Sequence, residues 1–170
     1  MRDPLADPQP LIRRVYAYVA YRVGAGPDAE DVTSETFERA LRYRGSFDPR
    51  RGDPAGWLIG IARRCIADAA MQRRETATAE LPERPIEGDS DASLRRLDLA
   101  AAVAQLDERD RELVALRYGG DLTARQIGEL LGLKTNAVEV ALHRALARLR
   151  RELSEEELRP ASEFSPRSAP

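Results

Sequence analysis

A chain of 170 residues that is 42% hydrophobic and 33% charged fits one or two small globular domains and excludes a disordered or membrane-spanning protein. No apolar run approaches the roughly 18 residues of a membrane span, and the N-terminus lacks the apolar core of a signal peptide. We therefore expect a cytoplasmic protein with no membrane insertion. The single Cys65 excludes an internal disulfide and a zinc site built on several cysteines.

The net charge of −2 hides an uneven distribution. Residues 134–151 carry five basic residues against one acid, residues 63–74 carry four arginines against one aspartate, and residues 75–91 carry six acids against one arginine. Exposed charges act mainly within a Debye length of about 8–10 Å, so phosphate binding depends on the local cluster. The total charge therefore does not exclude a nucleic-acid partner.

Apolar residues recur at helical spacing in the N-terminal part and predict helices over about 10–23, 28–43 and 54–74. Asp28 and Asp53 are expected to cap the second and third helices, and Leu41 is expected to face inward. The segment from Arg44 to Asp53 is rich in turn formers and predicts a loop. Together these helices predict a first domain over 1–74.

The remainder of the chain divides into three parts. Residues 75–93 contain prolines and many acids and predict a flexible linker. Residues 94–154 predict a second helical domain, and the Pro- and Ser-rich residues 155–170 predict a disordered tail. The expected fold class is therefore all-α, with two small helical domains joined by a flexible acidic linker.

The strongest pattern lies in the second domain. Thr123 and Gln126 are spaced as a capping box, and Leu122 and Ile127 are spaced as the hydrophobic staple beside it. Gly132 stands where the helix must end and can supply a left-handed stop. A second, basic helix starts three residues later, which is the helix-turn-helix pattern.

A helix-turn-helix inserts the start of its second helix into the major groove of DNA. Its residues expected to face base edges are Thr135, Asn136, Glu139, Val140 and His143. Those expected to contact phosphates are Lys134, Arg144 and Arg148. The alternative is an ordinary helical hairpin with a solvated basic face.

Over about residues 11–153, the chain resembles the sigma-70 family of bacterial transcription initiation factors, specifically the extracytoplasmic-function (ECF) group. In the first domain the resemblance rests on Ala29-Glu30-Asp31-Val32, Glu35-Thr36-Phe37, Arg39-Ala40, Trp57-Leu58, Ile61-Ala62-Arg63 and Asp68. In the second it rests on Leu116-Arg117-Tyr118, Leu122-Thr123, Ile127-Gly128, Gly132, Val138 and His143-Arg144-Ala145.

This resemblance implies a region 2 domain that binds core RNA polymerase and the promoter −10 element, and a region 4 domain that binds the −35 element. It implies a sigma factor that directs promoter-specific transcription initiation, with the polymerase β and β′ subunits, promoter DNA and an anti-sigma protein as partners. Polymerase docking is expected on an acidic stripe of the second helix, Asp31, Glu35 and Glu38. A solvated helix face is the alternative for this stripe.

Resemblance also suggests that the loop 44–53 holds a base flipped out of the −10 element, where Phe47 offers a π-face and Arg50 and Arg51 hold phosphates. Phe47 pinning the loop to the core is an equal alternative, and Trp57 is expected in the core. The arginines expected to follow the DNA backbone are Arg63, Arg64, Arg73 and Arg74. The last two are also placed to end the helix favourably.

Three other function classes remain open at this point. The chain is alternatively a one-component regulator with an N-terminal sensor domain, or an adaptor that uses its helix-turn-helix for protein contact. An enzyme is the third class, but His143 lies in the DNA-facing helix and Cys65 falls on a buried stripe. With no Gly-rich phosphate loop, catalytic set or metal spacing in the sequence, we expect no enzyme, no cofactor and no metal.

Overall fold

The computed structural model describes residues 3–76 and 99–158, and within these residues every regular element is helical and no strand is present, which confirms the all-α prediction. The N-terminal unit consists of α1 (Pro8–Val23), α2 (Pro27–Tyr43), a 3-10 turn (Arg44–Ser46) and α3 (Pro54–Thr76). The C-terminal unit contains α4 (99–105), α5 (Glu108–Val114), a π-helical turn (Ala115–Gly119), α6 (Ala124–Leu131) and α7 (Thr135–Leu158).

Two helices extend past their predicted ends. α3 continues to Thr76, just beyond the predicted boundary at 74. α7 continues to Leu158, so residues 155–158, which were predicted to be disordered, belong to a helix. Residues 77–93 of the predicted linker and 159–170 of the predicted tail lie outside the described residues.

The helices α2 and α3 begin with different kinds of N-terminal cap. The prediction that Asp28 caps α2 is wrong, because the cap position is Gly26, with φ at 125°, and Asp28 lies in the first turn after Pro27. A glycine there allows the chain to reverse sharply after α1. Asp53 caps α3 as predicted, since its carboxylate accepts the Gly56 N–H at 2.7 Å.

The helix-turn-helix prediction is confirmed in its local detail. The Thr123 hydroxyl accepts the Gln126 N–H at 3.2 Å, and the Gln126 carbonyl oxygen accepts the Thr123 N–H at 2.8 Å. Gly132 adopts the left-handed conformation, with φ 70° and ψ 31°. Gly128 brings α6 against the turn, because a Cβ there would lie 2.6 Å from the Leu133 carbonyl oxygen.

The two units pack against each other through one shared hydrophobic core. Its fully buried members from the N-terminal unit include Val15, Val19 and Leu58, and those from the C-terminal unit include Leu116 and Ile127. A smaller second core lies within the C-terminal unit, between α4, α5 and α7. The sequence had left open whether the units pack together, and the structure joins them.

One apolar side chain that was expected inside is exposed, and another that was not assigned to the core is buried. Leu41 was expected inside but is 56% exposed at the end of α2. Ile59 was not assigned to the core but is fully buried. Ile59 is buried because α3 is covered on two sides, by its own unit and by the C-terminal unit, whose Gly120 lies against Ile59.

Gly132→Ala should lower the free energy of unfolding by about 1 kcal/mol, because a left-handed residue with a Cβ is strained by roughly 1–2 kcal/mol. No atom lies within 4 Å of the added Cβ, so backbone strain is the main cost. Urea denaturation followed by circular dichroism measures the change. Gly132→Asn should lose less, because asparagine tolerates this conformation, and equal losses for the two variants would contradict the explanation.

Candidate nucleic-acid interface

The first half of α7 presents a polar face to solvent because its opposite face is anchored in the core. Val138 and Ala145 are fully buried and Leu142 is 8% exposed. The exposed residues on the other face and just before the helix are Lys134, Thr135, Asn136, Glu139, Val140, His143 and Arg144. All residues predicted to face bases therefore share one continuous exposed strip, together with two of the three predicted phosphate contacts.

Arg148, the third predicted phosphate contact, has partners inside the protein. Its guanidinium lies 3.3 Å from the Asp107 carboxylate and donates a hydrogen bond to the Asp110 carboxylate. Asp110 is a buried acid, 5% exposed, and Asp107 caps α5 by accepting the Asp110 N–H at 2.8 Å. Arg148 therefore neutralises a buried charge between α5 and α7.

Phe47 and Trp57 form an aromatic pair beside the loop 44–53. Their ring centroids are 5.5 Å apart and the ring planes are tilted by 59°. Both side chains are half-buried. Trp57 packs against the main hydrophobic core, as predicted, and Phe47 is held against Trp57. Arg50 and Arg51 are exposed on the same loop.

Two of the four arginines predicted to follow DNA along α3 are paired with carboxylates. Arg63 lies 2.8 Å from Glu112 of the C-terminal unit. Arg73 lies 2.8 Å from Asp28 at the start of α2. Both guanidiniums are partly exposed, at 36% and 51%, but each has its charge balanced inside the protein.

Arg64 and Arg74, the other two arginines, are exposed. Arg64 lines an open cavity of about 440 Å³ between α2 and α3, together with Arg39, Arg42 and Tyr43. Sequence reasoning did not single out Arg39, Arg42 or Tyr43 as site residues. Arg42 extends the basic surface of α3 onto the C-terminal end of α2, whereas Arg39 is paired with Glu35, which lines the same cavity.

The acidic stripe of α2 is only partly free. Asp31 and Glu38 are exposed, whereas Glu35 pairs with Arg39 at 2.6 Å. Arg39 also reaches Asp68 on α3 at 2.7 Å. The hydrogen bonds that the Arg39 guanidinium donates to Asp68 and then to Glu35 raise the pKa of Arg39. Arg39 therefore stays charged and joins α2 to α3.

Within residues 3–76 and 99–158, no group of three or more His, Cys, Asp and Glu side chains is arranged to hold a metal ion. None of the helices in that part of the chain is long and apolar enough to span a membrane.

The different roles of Arg144 and Arg148 can be tested by comparing the stability of their alanine variants. Arg148→Ala leaves the buried Asp110 carboxylate without its partner and should lower the free energy of unfolding by about 1–3 kcal/mol. Arg144→Ala removes an exposed charge on the same helix and should change it by less than about 0.5 kcal/mol. Urea denaturation of both variants makes the comparison, and a stable Arg148→Ala protein would show that the ion pair has no structural role.

Family models match both units of the chain. The model of sigma-70 region 2 matches residues 9–76, and the model of sigma-70 region 4 matches residues 96–149. The chain is 41% identical over 168 residues to the ECF RNA polymerase sigma factor ShbA of Streptomyces griseus, covering 87% of this chain and 84% of ShbA. It is 36% identical over 150 residues to the ECF RNA polymerase sigma factor BldN of Streptomyces coelicolor, covering 84% of this chain but 57% of BldN.

The fold is similar to that of the sigma factor RpoE from Bartonella quintana, which was solved in complex with the anti-sigma factor NepR. The TM-score is 0.70 at 20% identity, over 85% of this chain and 92% of RpoE. The two matched regions, in this order on this fold, mean that the chain belongs to the ECF group of the sigma-70 family, the RNA polymerase sigma factors that direct promoter-specific transcription initiation.

Proposed function

We propose that α7 of this sigma factor reads the −35 element, that the loop 44–53 with α3 holds the −10 element, and that Asp31 and Glu38 dock on core RNA polymerase. The observation that carries the proposal is the exposed strip on α7, which is held in a fixed orientation by Val138, Leu142 and Ala145 in the core. A recognition helix needs both properties, since side chains can read base edges only from a fixed backbone.

The strip supplies both kinds of DNA contact. Asn136 can form two hydrogen bonds with adenine, and Glu139 can accept a hydrogen bond from the amino group of cytosine. The exposed Lys134 and Arg144 fix the position of the helix through phosphates. Arg148 is left out of this interface because it balances the charge of Asp110.

For the −10 element, Phe47 and Trp57 supply an aromatic surface on which an unpaired base can stack. Arg50, Arg51 and Arg64 lie exposed around that surface or along α3, where they can hold the phosphates of the opened strand. Phe47 serves both roles that the sequence left open, since it packs on Trp57 and stays half-exposed.

Docking on polymerase is assigned to the exposed acids of α2. Asp31 and Glu38 are separated by two helical turns and lie on one face. A basic coiled coil of the β′ subunit is the partner that the family resemblance implies, and the β subunit completes the contact. Glu35 contributes less directly, because its carboxylate is paired with Arg39.

We further propose that the protein acts in the cytoplasm, where polymerase and promoter DNA are present, and that an anti-sigma protein holds it inactive. The family resemblance implies such a partner, and the similar RpoE was solved bound to one.

Arg144→Ala should weaken promoter binding and make it less dependent on salt. Losing one phosphate contact should lower the slope of log affinity against log salt by about 1. The measurement is run-off transcription and promoter binding by the holoenzyme, on fragments that the wild-type holoenzyme selects. Arg151→Ala, which removes an exposed charge farther along α7, is the matched control, and an equal effect of both variants would argue against a specific contact.

Asp31→Ala/Glu38→Ala should lower affinity for core polymerase by about tenfold or more, because two charged contacts of roughly 1 kcal/mol each are lost. Binding is measured by fluorescence anisotropy with labelled sigma factor and core enzyme. Glu75→Ala/Glu152→Ala removes two exposed acids outside the stripe and should bind normally. If wild-type protein neither binds core polymerase nor confers promoter specificity on it, a stand-alone DNA-binding regulator becomes the better account.

A further inference from the structure

We propose that Asp110 withholds Arg148 from the DNA backbone and thereby limits how tightly α7 holds DNA of any sequence. The inference rests on the proposed function of α7 as the helix that reads the −35 element, and it gives a role in DNA binding to a buried acid. The competing explanation of the same contact is purely structural, with Asp110 and Arg148 serving only to fasten α5 to α7.

Arg148 occupies a position on α7 from which an arginine can contact phosphates. It follows Arg144 by four residues, which places it about 6 Å farther along the helix axis and on the same face. The start of a recognition helix enters the major groove, so its later turns leave the groove beside the sugar-phosphate backbone. The Arg148 side chain is 42% exposed and is therefore open to solvent on one side.

Asp110 holds the Arg148 guanidinium towards α5. Its carboxylate, on a side chain that is only 7% exposed, accepts a hydrogen bond from Arg148 Nη1. The same nitrogen lies 3.3 Å from the carboxylate of the more exposed Asp107. Two carboxylates and one guanidinium leave this group with a net negative charge, which repels a phosphate that approaches Arg148. Arg144, by contrast, is exposed and forms no ion pair within residues 3–76 and 99–158.

The position of Asp110 is fixed by its own helix and by the second core. Asp107 caps α5 by accepting the Asp110 N–H at 2.8 Å, so the two acids are held together in the first turn. Val114 of α5 packs in the same buried cluster as Ala145 and Leu149 of α7. These two residues of α7 lie three positions before and one position after the arginine. The acid and the arginine are therefore brought together by packing on both sides of their contact.

The consequence for DNA follows from what a phosphate contact does. Each one makes the dependence of log affinity on log salt steeper by about 1. It adds affinity for every sequence alike, because phosphates carry no sequence information. A released Arg148 would therefore strengthen binding to promoter and non-promoter DNA together. Asp110 restricts the phosphate contacts at this strip to Lys134 and Arg144.

The first test measures the salt dependence of non-specific binding. Fluorescence anisotropy follows the full chain on a labelled duplex that lacks a −35 element, between about 50 and 200 mM salt. Asp110→Asn removes the charge, and Asp110→Leu also removes the hydrogen-bond acceptor. Both should bind more tightly than wild type at low salt, with a slope steeper by about 1. Their advantage over wild type should fall about fourfold across this salt range.

A second substitution shows whether the gain comes from Arg148. Arg148→Ala alone should keep the wild-type slope, because Arg148 does not contact DNA while it is paired. Asp110→Leu/Arg148→Ala should lose the gain of Asp110→Leu. Glu152→Gln is the matched control, since it removes an exposed acid one turn after Arg148 and leaves the ion pair in place. It should keep the wild-type slope, which separates release of the arginine from a general loss of negative charge.

The second test separates withholding from a purely structural role. Holoenzyme is bound to a promoter fragment that the wild type selects and to the non-promoter duplex, and the ratio of the two affinities is compared. Withholding predicts an unchanged ratio for the Asp110 variants. A purely structural contact predicts a lower ratio, because a loosened α7 reads bases less well. Circular dichroism first confirms folding, and Asp110→Asn decides if Asp110→Leu is not folded.

A folded Asp110 variant that keeps the wild-type slope, or that loses preference for the promoter, overturns the proposal. Arg144→Ala in the same salt series separates this failure from failure of the proposed function. If Arg144→Ala lowers the slope by about 1 while the Asp110 variants do not raise it, the interface of α7 stands and only the withholding fails. If Arg144→Ala leaves binding unchanged, the proposed interface fails, and the withholding fails with it.

Discussion

Glu112 is a nearly buried carboxylate, and an isolated charge in that position would destabilise the fold by several kcal/mol. Arg22 and Arg63 balance its charge, and Tyr18 donates a hydrogen bond to it. All three partners belong to the N-terminal unit, whereas Glu112 belongs to the C-terminal one. The relative position of the units therefore depends on this carboxylate together with the shared apolar core around it.

The parts of the fold that could be predicted from the sequence are those whose interactions join neighbours in the chain. The capping box of Thr123 and Gln126 and the glycine stop at Gly132 act within one or two turns, so their spacing alone specifies them. Leu41 was misassigned and Ile59 was left unassigned, because the burial of each depends on which distant surface covers each face of a helix. Periodicity shows that a helix has one apolar face. It does not show that a second unit will cover another face of the same helix.

The sequence pattern also fails to distinguish between the arginines of the candidate site. Arg144 and Arg148 lie one turn apart on α7 and look equivalent in the sequence, yet only Arg148 meets a buried acid, Asp110 of α5. The sequence did contain one indication of the contact between the two units. Arg14, Tyr18 and Arg22 are spaced by four and so share one face of α1, next to the buried Val15 and Val19. Arginines beside an aromatic residue on such a face indicate a polar contact, although not its partner.

Asp53 combines a helix cap and a contact between the units in one carboxylate. One of its carboxylate oxygens accepts the Gly56 N–H and caps α3, while the other accepts the Gln126 amide from the C-terminal unit. Gln126 likewise keeps its carbonyl oxygen for its own capping box and uses its amino group across the interface. Loss of the contact between them leaves both caps intact. The two helix starts that border the proposed DNA-binding surfaces are thus each stabilised by a hydrogen bond within their own unit, and the contact between Asp53 and Gln126 is additional to these caps.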